Sequence, residues 1–192
     1  MATRRGRESE RLLLLEGTHL FQELLRHGDQ PREVIATEMW LQRHADLVDC
    51  CSADVPWRLV TEEVLAAALT TVTPDGVACL ASLDDLPSMP SRLDFLLVLD
   101  RIQDPGNLGT LLRTALAADV QGVWLGSGVD PLATKTLRSS AGALLQLPHR
   151  RYGPDEQTAI QQLEQALRQP SAEGVQVVAT LPPDDHRALP VV

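Results

Sequence analysis

The chain has 192 residues, of which 44% are hydrophobic and 22% charged. That is ordinary for a soluble globular protein and enough for a core, so wholesale disorder is excluded. The formal net charge is −9, which makes the chain a poor generic polyanion binder.

The apolar runs are short, such as Leu12–Leu15 and Phe95–Leu99. None approaches the ~20 residues that span a bilayer, so no integral membrane segment is expected. The N-terminus has neither the apolar stretch nor the cleavage site of a secretory signal. Cys50, Cys51 and Cys79 are an odd number of cysteines. That argues against a disulfide framework and for a reducing, cytoplasmic setting. Cys50 and Cys51 are adjacent and fit no zinc spacing, so buried thiols are preferred over a metal site with His44, and no metal is expected. Residues 1–90 have 8 basic and 15 acidic side chains, against 9 and 11 in the remainder, and Lys135 is the only lysine. Any nucleic-acid contact therefore needs a local basic site.

Residues 1–11 are polar and Arg-rich and are expected to be loose. From Leu12 the chain alternates strand and helix patterns. Leu12–Leu15 reads as a strand. Thr18–His27 reads as a helix, with Leu20, Phe21, Leu24 and Leu25 on one side and Gly28 at its C-terminal cap. Residues 33–37 and 57–60 read as strands. Thr61 can cap a helix through Leu69, and residues 76–81 read as the last strand of the group. This predicts a small α/β unit over residues 12–82. Residues 83–93, with two prolines and two serines, read as a linker.

A second α/β pattern follows over residues 94–192. Residues 94–99 are a continuous apolar run, as in a strand buried on both faces. Residues 107–118 read as a helix, 122–125 as a strand, 132–145 as mostly helix, 157–168 as an amphipathic helix and 174–180 as a strand. The order predicts a parallel sheet of about four strands. The tail after Thr180 holds Pro182, Pro183 and Pro190. No covering helix is apparent there, so the second unit is expected to be incomplete at its C-terminal end.

The chemistry concentrates in residues 95–120, FLLVLDRIQDPGNLGTLLRTALAADV. A strand runs into a polar turn, and Asp104-Pro105-Gly106 is strong turn chemistry. Asn107 is then expected at the helix N-cap. Leu108, Leu111, Leu112 and Ala115 form the core stripe, and Gly109, Thr110, Arg113 and Ala117 lie opposite. Arg113 thus projects from the helix above the C-terminal edge of a sheet, where ligands of open α/β folds bind. The same spacing also suits a plain helix cap and a solvated arginine. The turn is neither a Walker A loop nor a GxGxxG fingerprint.

The segment VLDRIQDPGNLGTLLRTALAADV resembles the first motif of the SpoU (TrmH-type) RNA ribose 2′-O-methyltransferases of the SPOUT superfamily. The resemblance continues through Asp130-Pro131, Lys135 and Arg138-Ser139-Ser140-Ala141-Gly142. Upstream, LLLLEGTHLFQELLRHG and VLAAALTTVTPDGVACL look like the small ribosomal-protein-like substrate-binding domain of many such enzymes. The resemblance implies an α/β substrate-binding domain followed by a SPOUT-type α/β knot domain. It implies methyl transfer from S-adenosylmethionine to a ribose 2′-hydroxyl of rRNA or tRNA. Asn107 and Arg113 fall on the family's catalytic asparagine and arginine. Arg113, Lys135 and Arg138 are the expected RNA-contacting cations, and Thr180 falls where the cofactor pocket begins.

The family's second and third motifs, which build the knot, most of the cofactor pocket and much of the dimer interface, do not occur between Thr180 and Val192. The resemblance implies a dimer, and this chain is expected to lack much of that interface. A non-catalytic RNA-binding module is the alternative reading. A third is an unrelated nucleotide-binding enzyme using the DPGNLG turn as a phosphate loop, with ATP or NAD as ligand.

Overall fold

The computed structural model of the protein describes residues 3–172 and 174–180. It opens with a helix, α1 (Arg4–Glu10), where a loose segment is expected. The Thr3 side chain caps it by accepting from Gly6 N–H at 3.2 Å. Arg7, only 3% exposed, turns inward to pair with Asp130. That long-range pair orders a segment whose composition alone promises no core.

The first sheet is built from β1 (Leu12–Glu16), β2 (Glu33–Ala36), β3 (Trp57–Leu59) and β4 (Val77–Ser82), in the spatial order β1-β4-β2-β3. β4 lies antiparallel to both β1 and β2, while β3 runs parallel to β2. Three of its helices are α2 (Thr18–Arg26), α3 (Glu38–Arg43) and α4 (Ala45–Asp49), and α5 (Glu62–Ala68) follows β3. α3 and α4 replace a stretch with no predicted element. Thr37 accepts from Trp40 N–H and caps α3, and Thr61 caps α5 as expected. Leu13 and Leu15 meet Leu20, Phe21 and Leu24 of α2 in the main core. Leu14 and Ala78 face the other way onto Leu65 of α5. Alternation along β1 thus covers both faces, and each fully buried Leu or Phe stabilises by roughly 1.5–3 kcal/mol. Phe21 adds edge-on contacts with Trp40 and Trp57.

The second sheet contains β5 (Leu96–Leu99), β6 (Gly122–Leu125) and β7 (His149–Arg151), parallel and in that order. α6 (Pro105–Ala117) joins β5 to β6, α7 (Thr134–Ser139) precedes β7, and α8 (Glu156–Ala172) follows it. Two expectations change here. β5 ends the sheet on one side among the described residues, so its four residues are half-buried and Phe95 is 53% exposed. An apolar run alone does not reveal the missing neighbour. Residues 174–180 are exposed and outside any strand, so the sheet has three strands among the described residues instead of four.

The main core runs without a break from β1 and α2 into α6 and the segment from Leu137 to Leu147. The two sheets therefore share one apolar interior. No helix among the described residues is long and apolar enough to cross a membrane.

Candidate active site

The site begins at the C-terminal ends of β5 and β6. Two loops meet there. Asp100 Oδ1 accepts from Ser127 N–H at 3.2 Å, and Arg101 N–H donates to the Ser127 carbonyl at 3.0 Å. Ile102 forms a parallel bridge with Gly128, and Val129 N–H donates to the Ile102 carbonyl. Gly128 has φ +119, and a Cβ there would lie 2.4 Å from the Ile102 carbonyl oxygen. Only glycine fits both the conformation and the close approach. Arg101 occupies the left-handed region at φ 56, braced by Asp100 and Glu156. The polar turn between β5 and α6 is thus held by its neighbour.

α6 starts two residues earlier than expected. Asp104 is the N-cap, and its Oδ1 accepts from Asn107 N–H at 2.8 Å. Pro105 takes the first helical position, where a missing N–H costs nothing. Asn107 is therefore the third residue of the helix. Its backbone is tied down, while its side-chain amide is exposed and has no partner among the described residues. Arg113 is exposed too, with no ion-pair partner among the described residues. At 1.5 Å and 100° per residue, it stands about 9 Å along the axis and roughly 120° around the helix from Asn107.

Gly109, expected on the open side of α6, is buried. A Cβ there would lie 2.1 Å from Ser139 Oγ and 2.6 Å from the Ser139 carbonyl carbon. The backbones of α6 and α7 come together at that point. Ser139 Oγ also donates to the Pro105 carbonyl at 2.8 Å, in the first turn of α6.

α7 carries the other two predicted cations, and they part company. Lys135 is exposed and has no ion-pair partner among the described residues. Arg138 Nη1 donates to Glu16 Oε2 at 2.5 Å and approaches Thr70 Oγ1 at 3.3 Å. Only 1% of the Glu16 side chain is exposed. Its oxygens accept from Thr70 N–H, Thr70 Oγ1, Thr71 Oγ1 and Arg138. Burial pushes the Glu16 carboxyl up. The bonds from Thr71 and Thr70 and the Arg138 charge outweigh it and hold the group below its usual range. A cavity of about 270 Å³ opens beside this joint, with Gly17, His19, Thr73, Asp75 and Arg138 in its lining.

Thr180 is exposed and outside any strand. The structure does not bring it to the Asn107 turn through a sheet. Gly142 has φ +78 and a prospective Cβ 3.1 Å from Glu23 Cβ, so it serves both a turn and a contact. Of the remaining candidates, Cys50 is exposed, Cys51 donates to the Leu47 carbonyl and Cys79 is buried. His44 stacks on Trp40 with ring centroids 4.6 Å apart. Sequence reasoning missed Asp104, Ser139 and Glu16. Pro105 at a helix start signals the cap at Asp104. No local pattern marks Glu16 or Ser139, whose partners lie 122 and 34 residues away.

Residues 94–190 match the family model described as the SpoU rRNA Methylase family, and residues 1–79 match an MRM3-like substrate binding domain. An uncharacterized tRNA/rRNA methyltransferase of Synechocystis is 42% identical over 181 residues, which are 93% of this chain and 63% of that protein. The 23S rRNA (guanosine(2553)-2'-O)-methyltransferase RlmP of Bacillus subtilis is 30% identical over 147 residues, 76% of this chain and 56% of that protein. The crystal structure of an AdoMet-bound rRNA methyltransferase from Sinorhizobium meliloti superimposes with a TM-score of 0.62 at 25% identity, over 78% of this chain and 57% of that one. The chain thus spans less than two thirds of the length of each of these proteins.

Proposed function

The chain belongs to the SpoU rRNA methylase family, and from that premise we propose that it serves S-adenosylmethionine-dependent methylation of a ribose 2′-hydroxyl in rRNA or tRNA. The observation that carries the reading is the start of α6. A capped turn at the sheet edge presents the Asn107 amide, and Arg113 stands exposed six residues further along α6, both side chains without a partner among the described residues. The names of the two relatives and the cofactor bound in the superimposed structure support the donor and the class of acceptor.

A ribose hydroxyl is a weak nucleophile until its proton leaves or its charge is stabilised. Asn107 can donate to and accept from the ribose, fixing the oxygen in one orientation. Arg113 serves as the electrostatic partner of the developing alkoxide and not as the base. Lys135 supplies a further positive charge for a phosphate. Bound S-adenosylmethionine supplies the electrophilic methyl group. Thr180, exposed among the described residues, is read as a residue at the edge of its pocket. The units at residues 12–82 and 94–192, joined by residues 83–93, are read as substrate-binding and methyltransferase domains. The free thiols suit a cytoplasmic setting.

The test pairs calorimetric titration of S-adenosylmethionine, with ATP and NAD as controls, with methylation of rRNA and tRNA transcripts by the full-length protein and by N107A. The expected result is cofactor binding, a 2′-O-methylated nucleotide and a loss of at least tenfold in N107A. RNA binding without cofactor binding or product would favour the non-catalytic module. ATP or NAD binding instead would favour a nucleotide-binding enzyme.

A further inference from the structure

Arg138 and Ser139 are neighbours in sequence and reach in two directions. Arg138 reaches the end of β1, where Glu16 accepts its Nη1 at 2.5 Å. Ser139 reaches the first turn of α6 through the Pro105 carbonyl, and its backbone is the surface against which Gly109 packs. A short rigid path therefore runs from the first unit to the turn that presents Asn107. Two further ties reinforce it. The Thr70 and Thr134 hydroxyls are 2.8 Å apart. Arg7 of α1 pairs with Asp130, whose carbonyl accepts from Thr136 of α7 at 3.0 Å.

We propose that Glu16 and Arg138 are positioning residues that lock the substrate-binding unit onto α7 and, through Ser139, align the Asn107 turn with RNA held on that unit. Arg138 is not an RNA ligand in this arrangement. If it turned to a phosphate, it would leave the Glu16 carboxylate buried among threonines, with a second anion nearby. Lys135, on the same short helix and without an ion-pair partner among the described residues, is a cation open to RNA. The proposal rests on the methyltransferase reading for its catalytic consequence, but the joint itself is structural.

The experiment compares wild type, E16Q, R138Q and R138K of the full-length protein. Single-turnover methyl transfer at saturating RNA is expected to fall at least tenfold in E16Q and R138Q and to recover in part in R138K. Failure of R138K to recover would overturn a role that depends on the cationic bridge. RNA affinity is expected to change less than about twofold, with the salt dependence unaltered, because loss of a phosphate contact would lower that slope by about one. Spin labels at Cys50 and at Q161C, with C51S to leave one reactive thiol on the first unit, report the distance between the units. One narrow distribution is expected in wild type and a broad one in E16Q and R138Q. A lowered salt slope in R138Q, or narrow distributions in both variants, would overturn the proposal. A wild type that transfers no methyl group would refute the methyltransferase reading, while the labels and the salt slope still decide the joint.

Discussion

Arg113 and Arg138 carry the same group to different ends, and burial of the partner makes the difference. Arg138 faces a carboxylate with almost no exposure, so releasing it would strand a charge. Arg113 faces solvent and has no competing partner among the described residues. It keeps five donors in a planar fork for a ligand. R113K retains the charge and loses the fork. We expect R113K to lower the single-turnover rate at least tenfold while RNA affinity changes less than threefold. Quench-flow with labelled cofactor beside filter binding measures both. An unchanged rate would remove the fork from the chemistry and leave Arg113 a simple point charge. The exposure of Arg113 was legible in the spacing of Leu108, Leu112 and Ala115. The engagement of Arg138 was not, because helical spacing says nothing of a partner contributed by β1.

At the level of elements, the α6 start shows how one residue type fixes another. The residue before a proline is pushed to extended backbone, which is the conformation an N-cap needs. Asp104 has φ −97 and ψ 125 and holds the cap, so Asn107 is freed from that duty. Pro105 at the first helical position thus moves the cap from the expected Asn107 to Asp104. D104A is expected to cost about 1 kcal/mol of stability and to loosen the turn that carries Asn107. G109A is expected to cost more, about 1–3 kcal/mol, because the added methyl meets the Ser139 carbonyl carbon at 2.6 Å as well as its hydroxyl at 2.1 Å, and the backbone cannot swing aside. Urea denaturation of both variants orders them, and a G109A midpoint equal to wild type would show that α6 and α7 can separate freely. Other elements were lost for physical reasons. α3 and α4 are short, and tertiary contacts of Trp40 with Phe21 hold α3 more than any periodicity does. Residues 174–180 have strand composition but no strand beside them among the described residues, and β-propensity expresses little without a neighbour.

Over the whole molecule, two groups make stability depend on pH from different sides of the joint. His149 has its pKa lowered, chiefly by burial. Its folded value lies below the ordinary 6.5, so the unfolded chain binds the proton more readily. Stability is therefore lost as pH falls below about 6.5 toward the folded value. Glu16 also has a lowered pKa. Its contribution is complete above the unfolded value near 4.5 and is lost as pH falls through the lower folded value. Wild type is expected to show two descending steps in melting temperature between pH 7.5 and 3. H149N should lack the upper step, and E16Q should show a smaller lower one, since Glu63 and Asp155 also have lowered carboxyl pKa values. E16Q should also melt lower at pH 7, since an amide cannot replace the carboxylate between Arg138 and three threonine donors. Differential scanning calorimetry across the range resolves the steps. An E16Q profile parallel to wild type below pH 4.5 would show that the ionised carboxylate does not hold the two units together. The shared core would then have to hold them without it.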